Sequence, residues 1–144
     1  MDSIEGILLT HLRRIHHPKG DILHGLKKSE SSFVGFGEAY FSNVLPNDIK
    51  AWKLHNEMTL NLIVPTGIVK FVMIDKRKNS NTYDNSFEVT LSQDNYKRLT
   101  IPPGIWFGFM GVGNDLNLIL SITDMEHNPD EVDRKDVNEF DYSW

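Results

Sequence analysis

Residues 58–74 read MTLNLIV, PTG and IVKFVMI, and this stretch decides the fold class. It opens with alternating polar and apolar residues, breaks at Pro-Thr-Gly and resumes as an apolar run rich in β-branched residues. Alternation with a period of two is typical of a half-covered strand, and proline with glycine marks a turn. The stretch therefore predicts two strands that pair as a hairpin.

The same pattern extends to both sides of this stretch. Pro46-Asn47-Asp48 is a turn signal between two further strand-like runs, which we also expect to pair. Short strands at close, regular spacing, with only a weak helical pattern at 4–12, indicate an all-β chain, either an antiparallel sandwich or a jelly-roll barrel with a pocket at its mouth. The additional strands are predicted at 39–45, 49–55, 87–91, 96–101, 105–110 and 116–123.

Length and composition predict one domain. The chain has 144 residues, of which 40% are hydrophobic and 24% charged, which is typical of a globular domain with its own core. We expect a barrel core at about 33–124 after a short N-terminal element, and an acidic C-terminal arm at 125–144. The arm ends in aromatic residues, so we expect it to dock on the barrel, with a short helix at 129–135.

Charge and hydropathy exclude several classes of function. The net charge of −5 disfavours nucleic-acid binding, although the first 28 residues carry five Lys or Arg against three acids. No apolar run approaches the roughly 20 residues of a membrane span. The acidic start, Met1 to Gly6, is unlike a secretory signal, and the chain has no cysteine. We therefore expect a cytoplasmic protein with neither nucleic-acid nor membrane partners.

His55 is the residue that points most directly to chemistry. It ends the predicted strand 49–55 and is followed by Asn56 and Glu57, whereas a metal-binding cupin barrel would carry a second histidine two positions on. The later position for another histidine, after Pro103-Gly104, is Phe107. One imidazole alone holds a metal poorly, so we expect no metal and no other cofactor, and His55 is free to act as a base.

Several short motifs recur in an order that resembles a known family. In this order and spacing they are similar to the cupin family of dTDP-4-dehydrorhamnose 3,5-epimerases and related nucleotide-sugar enzymes. The motifs are His17-Pro18-Lys19-Gly20-Asp21, Lys53-Leu54-His55, Asp75-Lys76-Arg77, Ser80-Asn81-Thr82-Tyr83 and Pro103-Gly104-Ile105-Trp106-Phe107-Gly108-Phe109.

The resemblance implies epimerisation of a 4-keto-6-deoxyhexose carried by a nucleoside diphosphate, in cell-surface polysaccharide synthesis, with His55 as the catalytic base. The family's lysine falls at Leu60 and its tyrosine at Leu120, so both need substitutes. Tyr40, Tyr83 or Tyr142 would return the proton, and Tyr40, one hairpin partner from His55, is the choice. Lys50 or Lys53 would polarise the ketone, with Lys53 the choice.

The resemblance also implies a binding surface for a nucleotide-sugar substrate and a homodimer. Aromatic rings stack on a nucleobase or a sugar, and basic side chains hold the diphosphate. The predicted stacking residues are Trp52, Trp106, Phe107 and Phe109, the diphosphate ligands are Lys19, Arg77 or Lys97, and Asn61 is a further polar contact.

Two alternatives stay open at this point. The related sugar 3,4-ketoisomerases are also small cupins and use histidines with a tyrosine from an earlier strand, although their His-x-His pair is interrupted here by Glu57. The substituted site positions are equally compatible with a non-catalytic module that binds a nucleotide sugar.

Overall fold

A computed structural model describes residues 3–144, and Met1 and Asp2 of the acidic start lie outside the described part. Antiparallel sheets dominate it, which confirms the predicted all-β class. The strands are β1 (Leu8–His11), β2 (Arg14–Ile15), β3 (Ile22–Leu23), β4 (Glu38–Asn43), β5 (Ile49–His55), β6 (Leu60–Thr66), β7 (Val69–Asp75), β8 (Ser86–Leu91), β9 (Lys97–Ile101), β10 (Ile105–Gly111), β11 (Leu118–Thr123) and β12 (Val132–Arg134).

Two five-stranded sheets face each other as a jelly roll. The first sheet has the order β1-β9-β6-β11-β4 and the second has the order β12-β5-β10-β7-β8, while β2 and β3 form a small separate hairpin. The only helical segments among residues 3–144 are the 3-10 turns Pro129–Glu131 and Val137–Glu139, and no helix in this range could span a membrane.

Both predicted hairpins are wrong, because the chain changes sheet at each of those turns. β4 pairs with β11 rather than with β5, and β6 pairs with β9 and β11 rather than with β7. Local turn chemistry shows where a strand ends but not which strand it will meet. The buried pattern of β6 and β7 reflects the outcome, since each is a central strand with partners on both edges.

The weak helical pattern at 4–12 is also wrong. Leu8 to His11 form β1, which pairs with β9 at the edge of the first sheet. The free hydrogen-bonding groups of an exposed sheet edge accept an extended segment, and this tertiary pairing overrides a weak local preference.

The hydrophobic core lies between the two sheets. Residues that alternate along β6, β7, β9 and β10 point into it, and burying each such side chain contributes about 1.5–3 kcal/mol. The inward-facing side chains include Leu60, Leu62, Phe71, Met73, Leu99, Ile101, Ile105, Phe107 and Ile119.

Separate segments cover the outer faces of the sheets. On the first sheet, the fully buried Arg98 donates hydrogen bonds to Gly25 O, Glu30 Oε2 and Ser32 Oγ, which holds residues 25–32 against the strands. On the second sheet, the C-terminal arm packs its aromatic residues, which confirms that the arm docks. The expected helix at 129–135 is instead a 3-10 turn followed by β12.

Candidate active site

A cavity of about 110 Å3 opens between the two sheets. β5 and β10 of the second sheet form one wall, and β4, β6 and β11 of the first sheet form the other. Six of its lining side chains are polar and six are apolar. The lining residues are Tyr40, Ser42, Lys50, Lys53, His55, Leu60, Leu62, Phe71, Phe107, Phe109, Ile119 and Ser121.

His55 lies in this cavity and is held by a carboxylate from the C-terminal arm. Its Nδ1 is 2.5 Å from Glu131 Oε1, and the His55 and Glu131 side chains are 11% and 1% exposed. Glu131 Oε2 accepts further hydrogen bonds from the backbone N–H groups of Glu57 (3.1 Å) and Met58 (3.2 Å). These two bonds orient the carboxylate towards the imidazole.

The Glu131 carboxylate sets the proton position on the imidazole. Burial alone would raise the pKa of Glu131, but the hydrogen bonds from His55 and from the two backbone groups outweigh it and lower that pKa below its usual value. An ionised carboxylate only accepts, so in the neutral imidazole His55 Nδ1 carries the proton and Nε2 has the lone pair. This tautomer is the one a general base requires.

Phe107 supports the imidazole from the neighbouring strand. The two rings stack with centroids 5.9 Å apart and an interplanar angle of 20°. Phe107 is 5% exposed and stands where the resemblance leads one to expect a second histidine. An apolar ring there fixes the orientation of His55 without adding a second base.

Tyr40 reaches the same cavity from the opposite wall. The predicted hairpin between its strand and that of His55 does not form, and Tyr40 pairs instead in register with Ser121 of β11. It is 45% exposed, so its ring stands at the mouth of the cavity. Ile119 and Ser121 face the cavity, whereas Leu120, the expected position of the family's tyrosine, is not among its lining residues.

Lys50 and Lys53 share the wall of His55 because β5 contains a bulge. The pairing with β10 passes from Lys53 to Ala51 across Phe107 and Gly108, leaving Trp52 without a partner on β10. An extra residue reverses the in-and-out alternation, so Lys50 joins Lys53 on the cavity side. Desolvation lowers the pKa of Lys53, and repulsion from Arg134 and Lys50 lowers it further.

A second cavity of about 360 Å3 adjoins the first. It shares Lys50, Lys53, Phe107 and Phe109 with the smaller cavity and extends towards the end of β12. Its cationic side chains belong to four residues, and no acidic residue lines it, so it offers a concentrated positive charge to an anion. Its remaining lining residues are Ala51, Trp52, Arg134 and Lys135.

The rings of Trp52 and Trp106 lie on the outer face of the second sheet. Trp52 is 1% exposed and its indole N–H donates to Val137 O (3.1 Å), and Trp106 is 7% exposed. Both pack against Phe140 of the arm, at centroid distances of 5.3 and 5.7 Å. The arm covers both rings, so their predicted stacking on a ligand remains a prediction, although Trp52 also lines the larger cavity.

Asn61 and Lys19 also lie outside the cavity. Asn61 is 3% exposed, donates to Ser32 O (3.0 Å) and accepts from Thr100 Oγ1 (2.7 Å), so its polar groups are used in holding the outer covering of the first sheet. Lys19 lies in the exposed turn between β2 and β3. Neither residue lines the two cavities, and their predicted contact with substrate remains a prediction.

Arg77 belongs to a hydrogen-bonded loop and not to the cavity. Its guanidinium makes two bonds of 2.9 Å to the carboxylate of Asp75, which is 0% exposed, and a third of 2.6 Å to Glu5 O. Burial would raise the pKa of Asp75, but hydrogen bonds from Arg77, Ser80 and Thr82 reverse this and lower it strongly. Arg77, a predicted diphosphate ligand, therefore bonds the N-terminal segment to this loop.

Glu131 is the important site residue that the sequence did not reveal. Its only signal is membership of an acidic arm, and that arm contains seven acids. Among residues 3–144, no three His, Cys, Asp or Glu side chains converge as metal ligands. His55 and Glu131 are bonded to each other.

Comparison with known proteins places this geometry in a family. The family model described as dTDP-4-dehydrorhamnose 3,5-epimerase matches residues 52–143. The spore coat polysaccharide biosynthesis protein SpsL of Bacillus subtilis is 28% identical over 134 residues, which are 93% of this chain and 89% of that protein.

Solved structures show the same fold. A dTDP sugar isomerase from Desulfovibrio desulfuricans G20 superposes with a TM-score of 0.94 and 40% identity, covering 98% of this chain and 92% of that chain. A dTDP-4-dehydrorhamnose 3,5-epimerase from Bacillus anthracis, solved with TDP and PPi bound, superposes with a TM-score of 0.82 at 20% identity, covering 92% and 80%, and supports the fold alone.

Proposed function

Because the chain belongs to the dTDP-4-dehydrorhamnose 3,5-epimerase family, we propose that it is a metal-independent epimerase of a nucleotide-linked 4-keto-6-deoxyhexose. Family membership makes it an enzyme of the epimerase or isomerase type and argues against a non-catalytic binding module. The polysaccharide role of its Bacillus relative supports a place in the synthesis of deoxysugars for cell-surface polysaccharides.

The reaction begins at the carbon beside the ketone. His55 Nε2 removes the proton from the carbon beside the ketone. The electron pair of the C–H bond forms a C=C bond to the carbonyl carbon, and the π electrons of the carbonyl move to its oxygen, giving an enolate. Formation of the enolate requires a donor on that oxygen, and the ammonium of Lys53 on the same strand supplies it. Glu131 stabilises the imidazolium that forms, because its carboxylate stays ionised.

Inversion requires the proton to return on the other face of the ring. Tyr40 supports this step because it belongs to the first sheet, whereas His55 belongs to the second, so a sugar between them presents opposite faces to the two side chains. The Tyr40 hydroxyl donates its proton to the carbon as the electrons on the enolate oxygen re-form the ketone. The phenolate is then reprotonated from solvent, and the His55 imidazolium releases its proton to solvent.

The larger cavity is suited to the diphosphate of the substrate. Lys50, Arg134 and Lys135 line it beside the sugar cavity, and an Arg guanidinium can bind two phosphate oxygens at once. These residues take the role first predicted for Lys19 and Arg77. Phe107 and Phe109 border both cavities and would contact the apolar face of the sugar.

One observation favours the sugar 3,4-ketoisomerase alternative. Lys53 lies on the same wall as His55 and has a lowered pKa, so it could exchange protons on the face from which the first was removed. Such same-face transfer moves the carbonyl instead of inverting the carbon. Product identification by NMR distinguishes the two reactions.

The hydrogen bond between His55 Nδ1 and Glu131 at the cavity carries this proposal. Its test is proton NMR in deuterated water with the dTDP, CDP and GDP forms of 4-keto-6-deoxyglucose. We expect the wild type to exchange a ring hydrogen beside the ketone and His55→Asn to lose this exchange. His11→Asn, which alters an exposed histidine on β1, is the matched control. Equal exchange rates in His55→Asn and wild type would defeat the proposal.

The homodimer remains a prediction from the resemblance, and the cytoplasmic location remains a prediction from the sequence composition. Light scattering coupled to size-exclusion chromatography measures the first, and fractionation of the source cells measures the second. A monomer at all concentrations would remove the dimer from the proposal without affecting the chemistry assigned to His55.

A further inference from the structure

We propose that the last five residues, 140–144, act as a positioning element for catalysis, which we call the aromatic plug. By packing on the outer face of β5, the plug holds the arm in place so that Glu131 stays bonded to His55. The kinetic part of this inference rests on the proposed function, whereas its structural part concerns only the state of the His55 ring.

The arm contacts β5 on three sides. On the inner side, Glu131 reaches His55. Along the edge, β12 pairs with β5 from His55 to Lys53, and Lys135 continues the pairing with two backbone hydrogen bonds to Trp52, of 3.0 and 3.1 Å. On the outer side, the aromatic plug covers the Trp52 ring.

Trp52 is the centre of the outer contact. Its ring meets Phe140 and Trp144 at centroid distances of 5.3 Å each, and Tyr142 at 6.3 Å. Tyr142 and Trp144 also contact each other at 5.2 Å. Trp52 is 1% exposed with these rings packed against it, so removing them would expose apolar surface on the strand that carries His55.

The edge strand is too short to hold the arm without this contact. β12 has three residues, and Asp133 and Arg134 are exposed. Short edge strands with few buried side chains open locally at a small fraction of the global unfolding free energy. Glu131 directly precedes β12, so each opening of β12 would withdraw the carboxylate from His55.

The test removes the plug while leaving the barrel core intact. We compare the wild type with a chain ending at Glu139 and with Trp144→Ala, and record the 15N NMR signals of the His55 ring at neutral pH. We expect the wild type to show the Nδ1–H tautomer alone and both variants to show a mixture of tautomers. We also expect kcat to fall at least about tenfold with KM changed less than about threefold, because the carboxylate acts on the chemical step.

Rescue and control variants separate positioning from a general loss of stability. Trp144→Phe should restore most of the wild-type tautomer and kcat, since it returns a ring to the cluster. Phe36→Ala removes an aromatic ring that is 64% exposed and lies outside the plug, and should change neither quantity. Far-UV circular dichroism confirms that each variant keeps its sheets. If the chain ending at Glu139 does not fold, Trp144→Ala alone provides the test.

Two results would overturn this inference. One is a folded Trp144→Ala or shortened chain with the wild-type His55 tautomer, whatever its activity. The other is an altered tautomer with unchanged kcat on a substrate that the wild type turns over. If the wild type turns over none of the nucleotide sugars, the proposed function fails, while the NMR spectra still decide whether the plug positions Glu131.

Discussion

Substituting Glu131 by glutamine tests the assignment of the His55 tautomer most directly. The change keeps the size of the side chain but replaces one of two accepting oxygens by a donating NH2 group. Glu131 now accepts from three donors, of which His55 Nδ1 is one and the backbone N–H groups of Glu57 and Met58 are the others. The single glutamine oxygen can accept either from His55 or from the two backbone N–H groups, but not from both.

The two backbone donors decide the orientation of the new amide. If the NH2 group faced Glu57 and Met58, their two buried backbone N–H groups would lose their acceptor, at a cost in stability of about 1–3 kcal/mol each. If it faced His55, only one donor, His55 Nδ1, would lose its acceptor. We therefore expect NH2 to face His55 Nδ1. The imidazole must then accept at Nδ1 and carry its proton on Nε2, so it can no longer remove a proton from the sugar.

The expected loss is large because the base itself disappears. Forcing the wrong histidine tautomer in serine proteases lowers kcat by about 10^4, which corresponds to about 5.5 kcal/mol of transition-state stabilisation. We expect Glu131→Gln to lower kcat by about 10^3 to 10^4 in the solvent-exchange assay. The free energy of unfolding should fall by about 1–3 kcal/mol, since a hydrogen bond to a charged group is lost.

The control for this prediction is Asp133→Asn. Asp133 is an exposed acid two residues further along, which accepts from Asn56 Nδ2 (3.2 Å) and does not line the cavity. We expect it to retain activity within about threefold. If Glu131→Gln were also within threefold of the wild type while folded, the carboxylate would not set the tautomer, and the assignment of His55 as base would lose its structural basis.

Three further predictions follow from other parts of the site. Tyr40→Phe should still exchange the ring hydrogen with solvent but invert the carbon at least about 10^2-fold more slowly, and equal inversion would assign the returning proton to another group. Replacing Arg134 and Lys135 together by alanine should raise KM about tenfold and weaken the salt dependence of KM, whereas Lys19→Ala should leave KM unchanged. The reverse pattern would show that the larger cavity does not bind the diphosphate. The pKa of Asp75 is strongly lowered in the folded protein, so its carboxylate stabilises the fold above pH 3.8, its usual pKa, and this stabilisation is lost as pH falls through the folded pKa. Asp75→Asn should therefore be less stable than the wild type by about 3–5 kcal/mol at pH 7. Urea unfolding should show this difference in stability shrinking below pH 3.8.

The fold class and His55 could be read from the sequence because their signals are local. Period-two alternation and turn residues such as those at 58–74 report the strands one at a time. His55 stood out through its place in a motif at the end of one strand. Tyr40 was assigned to the site through a pairing that does not exist, and it lies at the cavity because β4 faces β5 across the barrel.

The rest of the site depends on contacts between distant parts of the chain. Glu131 meets His55 across 76 positions, and no local pattern distinguishes it from the other acids of the arm. Trp52 and Trp106 looked available for stacking because strand residues give no indication of what covers the outer face of a sheet. Lys50 faces the cavity only because of the bulge at Trp52, which simple alternation cannot anticipate.

The exchange of the chain between sheets has a consequence for how this protein reaches its native state. Among the described strands, only β2 with β3 and β7 with β8 are sequence neighbours that pair with each other. Every other ladder must close a long loop before any of its hydrogen bonds form, so the contact order is high and folding belongs to the slow regime of about milliseconds to seconds. During that interval the unpaired apolar strands are exposed to other chains. The β7–β8 hairpin is the natural folding nucleus, onto which the remaining strands of the same chain can pair.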